Sequence, residues 1–258
     1  MVAVDEIVFW GIAYACFLVA AGAYALVLWQ GLDVATLVGR LTGSLGAVLT
    51  AAGLAVRMAR AGRWLLTGGG EVAVLVAVLA VVAFLLLERR SKLQGAGAGV
   101  FLLVVLLDSF ALWSLVVRGA GSVPRVAGGG GVLATLRVAL DAVAYGCLLV
   151  GGGIGLVRMI PARWSAAGRP PEAVLDVEAW RAFVWGASAL SGGLLIGVLA
   201  AYLAGHGLWS PESGLLWPMG VWAVCGGSVV MEWVGGWRAT LATLAAAAAF
   251  VVMLGGGG

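Results

Sequence analysis

Charged residues are scarce in this chain, and that scarcity excludes a soluble globular domain. Of the 258 residues, 10% are charged and 63% are hydrophobic, whereas a soluble domain has about 25% charged and about 45–50% apolar residues. The apolar runs are long and continuous, and about 20 such residues in a helix cross a bilayer core. Alternating barrel strands are absent from the pattern. The sequence therefore predicts an all-α polytopic integral membrane bundle.

Histidine and cysteine are also rare. His206 is the only histidine, which excludes bis-histidine haem ligation within one chain. Cys16, Cys147 and Cys225 lie in apolar runs without metal-ligand spacing, and we interpret them as packing residues. No nucleophile elbow, Cys/His pair or metal-hydrolase pattern occurs, so we expect no independent catalytic activity.

The hydropathy pattern predicts about eight spans within a single transmembrane domain, residues 1–258. Asp5 and Glu6 precede the first span in place of a basic region, so we expect a retained helix and not a signal peptide. An even number of spans puts both termini on one side of the membrane. The predicted spans are about 7–29, 38–57, 71–88, 97–117, 131–157, 181–204, 215–234 and 238–255.

The basic residues predict the orientation, because cytoplasmic loops are enriched in lysine and arginine. The side opposite the termini carries nine of them: Arg40, Arg89, Arg90, Lys92, Arg158, Arg163, Arg169, Arg181 and Arg238. The termini side carries five: Arg57, Arg60, Arg63, Arg118 and Arg125. This bias predicts outer termini in a prokaryotic plasma (inner) membrane. The net charge of +3 fits loops on anionic lipid and does not indicate nucleic acid.

Three charged residues fall inside predicted spans, where charges are expensive and normally paired. Arg137 and Asp141 are four residues apart and share a helix face. Asp108 lies about as deep as Asp141, roughly 14–15 Å below the outer end of its span. The three could form one cluster if their spans touch. That cluster would be either a charge-compensated clip between helices or an anion, propionate or proton site.

The loop before the seventh span reads GHGLWSPESGLLWPMGVW, residues 205–222. It places tryptophans, Glu212 and His206 at a membrane surface, where a flat ligand could be held. Interfacial tryptophans also form the ordinary aromatic belt of membrane proteins. His206 is accordingly either a polar surface residue or an axial ligand to iron, in which case a Met, a Tyr or water would complete the site.

Several stretches resemble a known family. LTAAGLAVRMARAGRWLLTGGGE, ending at Glu71, is similar to a family span end followed by an Arg, a short loop and a Glu. FLLLERRSKLQGAGAGVFLL and AYGCLLVGGGIGL, with Tyr145, are similar to the turn into span four and to span five. The family is that of the membrane haem-handling cytochrome c assembly proteins of the Ccs/HemX-like type, with a tryptophan-rich motif. The chain resembles a degenerate member.

The strongest part of the resemblance is at the C-terminal end. The family loop reads Trp-x-Trp-Asp-Pro-Lys-Glu-x-Trp, followed five residues later by another Trp and then by a Gly-Trp-Arg turn. The matching residues here are Trp209, Glu212, Trp217, Trp222, Gly236, Trp237 and Arg238. Pro211, Gly214 and Leu215 stand at the second Trp, the Lys and the Glu, and the family histidines fall near Thr50, Arg137 and Val230.

The resemblance implies a protein that presents or senses haem at the outer face, with altered ligands. The residues implied to hold haem are Trp209, Glu212, Trp217, Trp222, His206 and Arg137, with His206 as the one candidate metal ligand. The implied partners are the lipid bilayer, cytochrome c maturation proteins or other membrane subunits, and a c-type cytochrome. Two alternatives stay open: a cofactor-free anchor subunit of a respiratory or photosynthetic electron-transfer complex, and a small-solute transporter using the intramembrane charges.

Overall fold

Eight long α-helices account for nearly all of the computed structural model, which confirms the predicted all-α bundle. It describes residues 4–61, 69–91, 93–117, 132–161, 168–203, 205, 215–235 and 238–255, and no strand occurs among them. The helices are α1 (Val4–Gln30), α2 (Asp33–Ala61), α3 (Gly69–Ser91), α4 (Gly97–Val117), α5 (Val132–Met159), α6 (Glu172–Leu203), α7 (Leu216–Gly235) and α8 (Arg238–Gly255). A short 3-10 helix, Gln94–Ala96, precedes α4.

Six of these helices, α1 to α6, are long and apolar enough to cross a membrane, judged on the described residues. The architecture is therefore that of a multi-pass membrane protein. For α7 and α8, membrane crossing stays a prediction. Because successive helices are antiparallel, α1 begins at the same end of the bundle at which α8 ends. We call this end the termini face and the other end the opposite face.

The prediction was wrong at the start of α6. The sixth span was expected at about 181–204, but the helix begins at Glu172, directly after Pro170 and Pro171. The carbonyl of Pro171 accepts hydrogen bonds from the N–H groups of Val174 and Leu175, and these bonds form the first turn of α6. Proline is common at the start of a helix because its fixed φ suits the helical backbone. This added segment is amphipathic, and it buries Leu175 together with Glu178 and Ala179 against the bundle.

The helices fall into two adjoining groups. In the first, α1, α2, α3 and α4 form a square in which each helix packs on its two neighbours, so α2 and α4 face each other diagonally across the core. In the second, α5 packs most extensively on α6 and also on α8, while α7 contacts α6 and α8. Helix α5 also packs on α3 and α4 and thereby joins the two groups.

Glycines permit the closest helix contacts. A Cβ atom at Gly153 of α5 would lie 2.6 Å from the backbone N atom of Val100 on α4. At the next contact, a Cβ atom at Gly151 would lie 3.0 Å from the carbonyl oxygen of Ala179 on α6. Because lipid offers no hydrophobic drive for helix association, such small residues let van der Waals contact hold the helices together. The 151–153 glycine run of α5 is therefore a helix-packing site.

Candidate functional site at the termini face

An ion pair lies inside α5 near the termini face. Nε of Arg137 is 3.6 Å from Oδ2 of Asp141, one helical turn along α5. The two side chains are 18% and 14% exposed, so the pair is mostly buried but still reachable. The helix face that these two residues share thus carries an ion pair.

Two glycines of α6 bring this helix close to the ion pair. A Cβ atom at Gly193 would collide with Oδ1 of Asp141, and a Cβ atom at Gly197 would lie 3.1 Å from Nε of Arg137. The same Cβ at Gly197 would lie 2.6 Å from Cδ2 of Leu215. Leu215 is fully buried and directly precedes α7. The tryptophan-containing loop therefore returns to the bundle beside Arg137.

Two of the predicted motif tryptophans lie on the first turns of α7. The side chains of Trp217 and Trp222 are 55% and 48% exposed. The indole N–H of Trp222 donates a hydrogen bond of 3.0 Å to Oγ of Ser191 on α6, which fixes the orientation of its ring. The Trp217 ring is the exposed aromatic surface at the start of α7, where the tryptophan-containing loop ends.

The remaining predicted ligand residues lie outside the described part of the chain. These are His206, Trp209 and Glu212, together with Gly236 and Trp237 of the predicted turn. What the structure describes is the two anchors of the loop. Gly205 has a φ of 72°, a left-handed conformation that glycine adopts readily, and it lies two residues after the end of α6 at Leu203. Leu215 is the other anchor.

Asp108 occupies a different environment from the Arg137–Asp141 pair. It is 2% exposed on α4, and its Oδ2 atom has no hydrogen-bond partner within the described residues. The structure thus joins Arg137 to Asp141 and leaves Asp108 in the interior of the α1–α4 square. A three-residue cluster stays a prediction.

Two further ion pairs were not predicted from the sequence, because each joins residues from different helices. At the termini face, Nε of Arg57 on α2 is 2.8 Å from Oε1 of Glu71 on α3, and the Arg57 guanidinium lies 5.6 Å from the ring centroid of Trp10. Glu71 also lies in the first turn of α3, where the helix dipole favours an acidic side chain. The family-like spacing of an Arg, a short loop and a Glu was the available signal for this contact.

The second ion pair lies near the opposite face. Oε2 of Glu88 on α3 accepts hydrogen bonds of 3.0 Å from both the Tyr24 hydroxyl and Nε of Arg40. Close by in the sequence, Ser91 donates a 2.7 Å hydrogen bond to Glu178 of α6, which also receives one from Arg181 at 2.8 Å. These contacts fasten α1, α2, α3 and α6 together where the basic residues are most numerous.

No protein-family model and no curated protein matches this chain. The resemblance to cytochrome c assembly proteins therefore stays a prediction.

Proposed function

We propose that the protein binds a haem-class macrocycle at the termini face and presents it to a cytochrome c assembly partner. The observation that carries this proposal is the position of Arg137 beside Leu215. Leu215 ends the loop that contains Trp209 and Glu212, and α7 with its exposed Trp217 begins at the next residue. The guanidinium of Arg137 and the exposed indole of Trp217 therefore lie on either side of Leu215.

The chemistry of these groups suits the periphery of a porphyrin. A guanidinium pairs with carboxylates through directed, charge-assisted hydrogen bonds, as porphyrin propionates require. An indole ring presents a flat apolar face on which a macrocycle can stack. Nε of Arg137 already lies 3.6 Å from the Asp141 carboxylate. A propionate would therefore either displace that carboxylate or share the guanidinium with it.

The same residues are poorly suited to hold iron. No group of three or more His, Cys, Asp or Glu side chains with metal-binding geometry occurs in the described ranges. His206 is the chain's only histidine, and it lies in the loop outside those ranges. We therefore infer that the protein recognises the propionates and the flat face of the macrocycle and not its iron. Haem would then be a ligand that is passed to a partner.

Absorbance titration of the purified protein with haem, and in parallel with metal-free protoporphyrin, tests the proposal. Both should bind, and Trp217→Ala should weaken both. Trp185→Ala is the matched control, since Trp185 is similarly exposed but lies in the first half of α6, towards the opposite face. Absence of saturable binding, or equal effects of the two substitutions, would contradict the proposal.

A second candidate is a cofactor-free anchor subunit of an electron-transfer complex. Two positions that match family histidines favour it: Thr50 is fully buried, and Arg137 is engaged with Asp141. Neither side chain ligates iron readily. Stable co-purification with redox subunits and no Soret band would support this candidate over haem presentation.

A further inference from the structure

Five buried polar atoms of α1–α4 lack hydrogen-bond partners in the described residues, and three of them lie in the half of these helices nearer the termini face. They are Nε1 of Trp10, Oγ1 of Thr50 and Oδ2 of Asp108. Trp10 and Asp108 are 2% exposed, and Thr50 is fully buried. An unsatisfied buried polar group costs about 1–3 kcal/mol, more if it is charged, so three of them in one helix group require a physical explanation.

Thr50 and Asp108 lie at the same height along the bundle. The Phe101 ring of α4 packs against Gly43 of α2, and both helices run from the opposite face to the termini face. One heptad further on, about 10.5 Å along each helix, these two helices carry Asp108 and Thr50. Thr50 and Asp108 are therefore at the same level, on the sides of α2 and α4 that face the core.

The contacts of α1 independently place Thr50 and Asp108 at the same height along the bundle. The ring of Phe17 packs at Gly46 and that of Trp10 at Gly53, which brackets Thr50 on α2. Tyr14, midway between the two rings on α1, receives a 3.1 Å hydrogen bond from Ser109, the neighbour of Asp108. Trp10 lies about one turn nearer the termini face than Thr50, since its Nε1 approaches Gly53.

This polar layer has a different boundary on each side. Towards the opposite face lie four packed aromatic rings, those of Phe17, Tyr24, Phe84 and Phe101. Towards the termini face lie Trp10 and the Arg57–Glu71 pair. The aromatic layer closes one direction with apolar side chains, whereas the other direction leads through polar and charged groups.

We propose that Trp10, Thr50 and Asp108 enclose an internal, water-linked proton-exchange site that communicates with the termini face past Arg57 and Glu71. Buried waters need two to four polar partners, and an indole N–H, a hydroxyl and a carboxyl provide them. A carboxylate at this depth needs a compensating positive charge. Only two of the three unpartnered atoms are oxygens and the third is an N–H donor, so the site suits a proton better than a metal cation, which needs several oxygen ligands.

The other titratable or charged side chains on the packed elements are already engaged or distant in depth. On α1 the groups are Cys16, Tyr14, which is bonded to Ser109, and Tyr24, which donates to Glu88 beside Arg40 near the opposite face. On α2 and α3 the groups are Arg57 and Glu71, which pair with each other. On α5 they are Arg137 and Asp141, which form their own pair, and Tyr145. Asp108 is therefore the carboxyl group that we assign to proton exchange.

Infrared spectroscopy of the full-length protein in liposomes tests this site. The protein should show a protonated-carboxyl C=O band that is lost in Asp108→Asn and retained in the matched variant Asp141→Asn. On transfer to D2O the band should shift, and Arg57→Gln should hasten the shift because it opens the route to the termini face. A band retained in Asp108→Asn, a band that fails to shift, or an unaltered exchange rate in Arg57→Gln would overturn the proposal.

Two further arms complete the test. Replacing choline by Na+ at constant pH should leave the band unchanged, and its loss would assign Asp108 to a metal cation instead. If Asp108→Asn does not fold, treatment of the unmodified protein with a membrane-permeant carbodiimide, read by peptide mass spectrometry, replaces it. Such reagents modify protonated carboxyls, so Asp108 should be labelled, and an unlabelled Asp108 would refute the proton site.

Discussion

Replacing Gly153 by alanine should force α4 and α5 apart and destabilise the bundle. The added Cβ would lie 2.6 Å from both the N and the Cα atom of Val100. Carbon atoms pack best at about 3.5–4.0 Å, so the helices would have to separate locally by about 1 Å. Because the obstructing atoms belong to the backbone of α4, no side-chain rotation can relieve the contact.

The expected magnitude follows from two opposing effects. A gap of about 0.5–1 Å forfeits about a quarter to a half of the dispersion energy between facing atoms, and overpacking a core typically costs about 1–3 kcal/mol. Alanine is also a better helix former than glycine by up to about 1 kcal/mol. We therefore expect a net loss of up to about 2 kcal/mol in the free energy of unfolding.

Reversible unfolding of the purified protein in mixed micelles, as denaturing detergent is added, measures this loss. Gly220→Ala is the matched control, because a Cβ at Gly220 of α7 would meet nothing within 4 Å, and that variant should be neutral or stabilised. If Gly153→Ala is as stable as Gly220→Ala, the close approach of α4 and α5 is refuted.

Three further predictions concern the ion pairs, the orientation and the loop anchor. Glu88→Ala should lower the unfolding free energy by about 1.5–3 kcal/mol, because the hydrogen bonds from Tyr24 and Arg40 to a buried carboxylate are lost. Glu232→Ala, which breaks a partly exposed pair, should cost at most about 1 kcal/mol, and equal losses would contradict this ranking. The orientation can be tested with single cysteines in a cysteine-free background. A membrane-impermeant thiol reagent added to intact cells should modify Leu216→Cys at the termini face and not Met159→Cys at the opposite face. The reverse pattern would invert the predicted orientation. Gly197→Ala should weaken porphyrin binding, because the added Cβ would displace the side chains of Arg137 and Leu215 and not a helix backbone; unchanged binding would remove Arg137 from the site.

Hydropathy was enough to predict the helices, since a bilayer requires long apolar runs whatever their tertiary packing. It failed at Glu172–Trp180 because that segment alternates charged and apolar residues, as solvated loops do. In the fold, its apolar face meets the bundle, and Glu178 gains Ser91 and Arg181 as partners. The Pro170–Pro171 pair was the available start signal for this helix.

Side-chain partners were predictable only within one helix. Arg137 and Asp141 meet because four residues bring them to one helix face. The Arg57–Glu71 and Arg40–Glu88 pairs depend on how α2 packs on α3, and no local pattern specifies that packing. For the same reason, depth alone suggested a cluster of Asp108 with Arg137 and Asp141, and that three-residue cluster stays a prediction.

The most direct test of macrocycle presentation is the role of Arg137 in recognising propionates. Binding constants for haem and for its propionate dimethyl ester should be compared in the native protein and in Arg137→Gln. The account predicts that the native protein prefers free haem and that Arg137→Gln loses this preference while still binding the ester. Equal affinity of the native protein for haem and the ester, or a preference that persists in Arg137→Gln, would contradict it.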